Sequence, residues 1–244
     1  HSDQRINYHA DIFIGSCNFE LLINDFPVET YFDAGNGAIS ASIPINTAIL
    51  KPGTQTWKIR VYPIHDVKEI KGIIAKVPRT AIEDGARVEI KIEGIRYKEN
   101  GDIEKHFGKV LEFKAPIIKD EITGKNKLAD AGKTYTEYSG TFEASIPYSL
   151  SGWQDSEDLT KSDPEILKQE LFKEYQKMSK WLASRNLDSI AQAKLKGKKE
   201  EAQTLFYNNS DNDEYITDFI ETWGHDNIKI QPLENYSLQF YGDG

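Results

Sequence analysis

Cysteine and methionine are almost missing from this sequence, with one residue each in 244. A lone Cys17 excludes an intramolecular disulfide, a CxxC redox pair and a cysteine-based zinc cluster, so the core must hold by burial. That count leaves the compartment open, because exported proteins large enough for a full core often lack disulfides. No run of about 18 apolar residues occurs, and no membrane-spanning helix is expected. Lys and Arg are outnumbered 30 to 39 by Asp and Glu, for a net charge of −9 and a pI near 5.2. Gripping phosphate backbones needs clustered cations, so nucleic acid is excluded as the expected partner. Nine prolines, 17 glycines and 11% aromatic residues exclude collagen-like and disordered chains. The GxSxG, GxxxxGK[ST] and GxGxxG signatures are absent, and no solenoid-length repeat is visible. The sequence states no reaction, and no cofactor is expected.

What the chain does have is period-two patterning over its first 150 residues. Phe19, Leu21 and Ile23 alternate with Glu20, Leu22 and Asn24, as in a half-buried strand. Asn24-Asp25-Phe26-Pro27 supplies turn chemistry before Val28 to Phe32, which predicts a hairpin. Ile39 to Ile45 is a further strand, confined by Pro44 to an edge or a strand end. After the Pro52-Gly53 turn, Trp57, Ile59 and Val61 share one face and Lys58, Arg60 and Tyr62 the other. Val88, Ile90 and Ile92 repeat the pattern, as do Phe142, Ala144 and Ile146. Short strands with one apolar face and no intervening helical periodicity predict an antiparallel β-sandwich.

The pattern changes across the polar stretch from Ser149 to Lys161, which sets the expected boundary between residues 1–150 and 151–244. Ser162-Asp163-Pro164-Glu165 reads as a helix start, with Ser162 and Glu165 as a capping box and Pro164 at the first helical position. Leu167, Leu171, Tyr175, Met178 and Leu182 follow as one stripe. A second helix is expected after Asn186 or Asp188, with Gly197 weakening its middle by about 1 kcal/mol relative to alanine. A third carries Tyr215, Ile216, Phe219, Ile220 and Trp223 and ends at Gly224. Ile228 and Ile230, then Tyr236, Leu238 and Phe240, alternate with polar residues and predict closing strands. Gly242-Asp243-Gly244 reads as a hairpin turn awaiting its return strand, so the natural chain is expected to continue. The fold class is therefore α+β: an N-terminal antiparallel β-sandwich followed by a smaller helix-rich domain ending in β-strands.

Charge is unevenly divided. Residues 1–150 hold 19 Lys and Arg against 21 Asp and Glu, whereas residues 151–244 hold 11 against 18. Glu200 to Asn227 contains no Lys or Arg but does contain Asp211, Asp213, Glu214, Asp218, Glu221 and Asp226, directly after the basic run Lys194, Lys196, Lys198 and Lys199. One reading is a solvated helix face; the other is a docking surface for a basic protein. Trp153, in a polar loop among carboxylates, suits an interface anchor or a sugar-stacking platform, or else plugs the junction between the two parts. Trp57, Trp181 and Trp223 lie on apolar stripes and read as core. The five scattered histidines have no metal-site spacing, and no metal site is expected. His65-Asp66 is the one pair with the look of a general base and its orienting carboxylate. Asn209, Asp211 and Asp213 resemble the start of a calcium loop, but Glu214 stands where glycine is required and Ile220 at the twelfth position.

Phe19 to Val28, Ile43-Pro-Ile-Asn46, Leu50-Lys-Pro-Gly53 and Trp57 to Tyr62 occur in the order strand and hairpin, loop strand, turn, outgoing strand. Over residues 12–63 this resembles β-sandwich modules of bacterial extracytoplasmic proteins and lipoproteins, including immunity proteins that neutralise secreted antibacterial effectors. The second part is similar in element order to small helix-then-sheet domains of the cystatin or nuclear-transport-factor kind. The first resemblance implies a sandwich and export, and brings no catalytic residue with it. The chain begins His1-Ser2-Asp3 without an initiator, so a removed segment upstream is expected, either a tag or a natural leader; the second, a cleaved export or lipoprotein signal, goes with a periplasmic or cell-envelope location. The resulting expectation is a non-enzymatic exported protein-binding protein, most concretely an immunity protein, whose protein partner is basic and meets Asp211, Asp213, Glu214, Asp218, Glu221 and Trp153. The alternative is a carbohydrate-binding module of a cell-envelope or glycan-uptake system. A hydrolase with a carboxylate pair is the third reading.

Overall fold

The computed structural model describes residues 5–33, 37–152, 156–225, 228 and 230–241. The chain is mixed α and β, with antiparallel sheets followed by three helices, and it divides into two compact units, His1–Ser149 and Leu150–Gly244.

Among the described residues the first unit holds twelve strands: β1 Asn7–Gly15, β2 Asn18–Ile23, β3 Phe26–Tyr31, β4 Ala38–Pro44, β5 Gly53–Tyr62, β6 His65–Ile70, β7 Ile73–Pro78, β8 Arg87–Tyr97, β9 Ile103–Lys114, β10 Ile117–Lys119, β11 Asn126–Leu128 and β12 Thr136–Ala144. They form a four-stranded sheet in the order β4-β1-β8-β9, another in the order β12-β5-β2-β3, and two separate hairpins, β6-β7 and β10-β11. The pleat sends alternate side chains to opposite faces. From the first sheet Tyr8, Ala10, Ile12, Ile14, Val88, Ile90 and Ile92 are buried. From the second, Phe19, Leu21, Ile23, Trp57, Ile59, Val61, Phe142 and Ala144 are buried. Two contacts link the sheets: the Trp57 ring on β5 lies 4.9 Å from Phe113 on β9, and the Tyr8 hydroxyl on β1 accepts the amide of Ser145, just after β12, at 2.8 Å.

The β2-β3 turn shrinks to Asn24-Asp25, both at positive φ, because a two-residue turn of this hand matches strand twist. Phe26 and Pro27, expected in the turn, belong to β3 instead. Pro27 is tolerated there because β3 is an edge strand. The Asn24 carboxamide pins the turn, donating to Ala48 O and Gln55 Oε1 at 2.8 Å and accepting the Thr56 amide at 2.9 Å.

The second unit holds α1 Pro164–Ala183, α2 Leu187–Thr204 and α3 Asn209–Trp223. The cap of α1 is Asp163, which accepts the amides of Glu165 and Ile166 at 2.8 and 3.2 Å. Ser162 does not cap it, because a proline at the first helical position makes the residue before it the cap. Of the expected α1 stripe only the ends, Leu167 and Leu182, are buried, while Leu171 and Met178 face solvent. Asn186 caps α2.

The expected closing strands are corrected. Among the described residues no strand follows α3; alternation without a partner strand forms no ladder. The segment instead covers α1: Tyr236 stacks on Phe172 with centroids 6.1 Å apart, and the Tyr175 hydroxyl donates to Gln231 O at 2.5 Å. Gly242-Asp243-Gly244 lies outside the described residues.

Candidate functional site

The helix α3 begins with a reciprocal cap. Asn208 Oδ1 accepts the Asp211 amide at 3.0 Å and Asp211 Oδ2 accepts the Asn208 amide at 2.8 Å. This geometry is a helix start, so the calcium-loop likeness of Asn209, Asp211 and Asp213 dissolves into the first turn of α3. Asp211 serves the helix it starts, satisfying an amide that would otherwise lack a partner.

At about 100° per residue, the rest of α3 separates into two sides. Tyr215, Phe219 and Trp223 are half-buried, and the first and last meet α2, where Lys198 Nζ lies 4.4 Å from the Tyr215 ring centroid and Lys194 Nζ 4.2 Å from that of Trp223. Two lysines of the basic run are thus engaged on aromatic faces, and Lys198 also pairs with Glu201 at 2.6 Å. On the other side Ile216, Ile220, Asp213, Glu221, Glu214 and Asp218 follow one another around the helix, all exposed. Ile216 and Ile220 are each 55% exposed, and no residue of α3 is buried. Sequence periodicity assigned both isoleucines to one apolar stripe with Tyr215, Phe219 and Trp223; a stripe of that width is ordinary for a core-facing helix, so nothing in the sequence marked the two as exposed.

Among the described residues no ion pair reaches Asp213, Glu214, Asp218 or Glu221. Glu214 and Asp218 are like charges four residues apart, and Glu221 stands in the last turn, where the helix dipole is already negative. Both arrangements destabilise a helix by a few tenths of a kcal/mol to about 1 kcal/mol. The acidic row is therefore not there for the sake of the helix.

The other candidates resolve differently. Asp66 pairs with Arg79 at 2.9 Å rather than orienting His65, and the guanidinium holds its carboxyl below the usual range. His65 Nδ1 lies 2.8 Å from Asn18 Nδ2. Cys17 is buried, which pushes its thiol up to about 12, far from a reactive thiolate. Among the described residues no group of three or more His, Cys, Asp or Glu could hold a metal ion. An open cleft of about 380 Å³ lies between Phe172, Tyr175, Lys180 on α1 and Ile230, Pro232 and Leu233. Trp153 lies outside the described residues. Trp57 is core, whereas Trp181 and Trp223 are half-buried. No helix among the described residues is long and apolar enough to cross a membrane.

The chain has no match among protein-family models and no significant match among curated proteins or solved structures.

Proposed function

We propose that this chain is a non-enzymatic, exported protein-binding protein that docks a basic partner on the exposed side of α3. The observation that carries this reading is the uncompensated row Asp213, Glu214, Asp218 and Glu221 beside the exposed pair Ile216 and Ile220. An amphipathic helix of this kind fits a groove with an apolar floor and a basic rim, and the carboxylates would speed encounter and fix register. The most concrete form is an immunity protein neutralising a secreted antibacterial effector, with a periplasmic or envelope location behind a leader or lipid anchor. That form rests on the resemblance of residues 12–63, and with it goes the reading of the two four-stranded sheets as a β-sandwich, which the Trp57–Phe113 contact supports.

The test compares the whole chain with its Glu214→Lys/Asp218→Lys/Glu221→Lys variant as bait in extract of the source organism. One stoichiometric protein, retained at low salt, released at high salt and lost with the variant, is the expected result. Equal capture by both baits with equal salt dependence would put the docking face elsewhere.

A further inference from the structure

Strand pairing brings a second, chemically different surface together on the first unit. On β5, Trp57, Ile59 and Val61 point into the core, so Lys58, Arg60 and Tyr62 point out. Register places Arg60 opposite Glu137 of β12 and opposite Glu20 of β2. One step further along, Tyr62 stands opposite Asn18, with Tyr135 just before β12 and Phe32 just after β3 on either side. The ring of Tyr62 lies 5.3 Å from Tyr135 and 5.2 Å from Phe32, with interplanar angles of 55° and 50°. Tyr135 is 40% and Phe32 46% exposed. The result is an aromatic row, stepped rather than flat, running across the outward face of a sheet.

The row beside it is polar and electrically settled. Arg60 bridges two carboxylates, at 3.0 Å to Glu20 and 3.4 Å to Glu137, and Lys58 pairs with Asp25 at 3.4 Å. Tyr135 donates its hydroxyl to Glu137 Oε2 at 2.7 Å. Burial and the adjoining carboxylates raise the pKa of Tyr62 and Tyr135, so both phenols remain neutral donors. Glu20 is buried, with 3% of its side chain exposed, so the polar row is fixed in place.

From this juxtaposition we infer that the Phe32–Tyr62–Tyr135 row with Arg60 and Glu137, held from beneath by Glu20, is a binding platform for a neutral glycan. Both cations of the face are engaged, Arg60 by two carboxylates and Lys58 by Asp25, which leaves nothing to attract a phosphate, a sulfated polymer or an anionic lipid headgroup. Aromatic faces cover the C–H faces of a sugar ring, and the preorganised Glu137 carboxylate and Arg60 guanidinium meet hydroxyls as acceptor and donor. The stepped rings suit a twisted oligosaccharide rather than a flat crystalline surface.

The experiment is native affinity electrophoresis of the whole chain in gels containing a β-glucan, a xylan, a mannan or a soluble chitin derivative, with heparin as the charged control. Retardation by at least one neutral polymer is expected, with its Kd raised tenfold or more in Tyr135→Ala and in Phe32→Ala. Thermal melting checks that each variant folds; the two positions are independent, so one misfolded variant leaves the other to decide. No retardation by any neutral polymer, retardation by heparin alone, or unchanged retardation of a folded variant would overturn the inference. The α3 triple variant should be retarded as the parent is, so failure here and failure of the α3 reading are separate outcomes.

Discussion

A single buried side chain explains why Asn46 follows Ile43-Pro-Ile in this chain. Asn46 begins a short 3-10 turn after β4 and is fully buried. Its Oδ1 accepts the Tyr8 amide at 2.7 Å and its Nδ2 donates to Ile6 O at 2.9 Å. Its own carbonyl accepts the Tyr148 hydroxyl at 3.1 Å. The side chain thus stands in for a strand partner where β1 begins. Removing it strands an amide and a carbonyl in the core, each at a cost of about 1–3 kcal/mol. Asn46→Ala should therefore lose about 2–6 kcal/mol, read as a lower urea midpoint at unchanged slope. A loss below about 1 kcal/mol would mean that water or a shifted backbone satisfies both groups. Gly140 shows the complementary constraint, since a Cβ there would come within 2.9 Å of Trp57 Nε1. The tryptophan needs a partner strand with nothing on it at that point.

Elements differ in how plainly their residues announce them. Strands β5 and β8 were legible because one side of each is buried and the other is not, so the alternation is in the sequence; β2, expected to be half-buried, is buried on both sides, with Glu20 covered by its pairing with Arg60. The β6-β7 hairpin was not: Val67, Ile73 and Ile74 are 69, 70 and 76% exposed, so no buried face imposes a pattern, and Lys71-Gly72 at positive φ is its one local sign. The closing segment failed in the opposite sense, alternating without a partner strand. For the sites, the acidic row was legible as composition. The Phe32, Tyr62 and Tyr135 row was not, because its members come from three separate parts of the chain and only register aligns them. The α3 row itself yields a prediction at this scale. Glu221→Lys places a cation in the last turn, where the dipole favours it by about 0.3–1 kcal/mol. The variant should unfold at slightly higher urea while binding the partner less tightly. A helix that is destabilised instead would mean that Glu221 has a stabilising role within its own unit.

At the scale of the whole molecule, burial is divided as unevenly as charge. Among the described residues the first unit contributes 30 buried hydrophobic residues and the second three, Leu167, Leu182 and Ile190. Apolar burial is the main favourable term against chain entropy, so the two units cannot be equally stable by themselves. The second relies more on helix caps at Asp163, Asn186 and Asn208 and on lysines laid over Tyr215 and Trp223, each of which contributes about 1 kcal/mol. Local opening should follow that division. In native-state hydrogen exchange of the whole chain, amides of β1, β2, β5 and β8 should exchange only through global unfolding, at rates that fall together. Amides of α1, α2 and α3 should exchange through a smaller opening, orders of magnitude sooner, and α3, with nothing buried, soonest of the three. Saturating the α3 face with a partner should slow exchange in that helix and leave the strands unchanged, since the strands already open only with the whole molecule. Helices as protected as the strands in the free chain would instead require a source of stability that burial and capping do not supply.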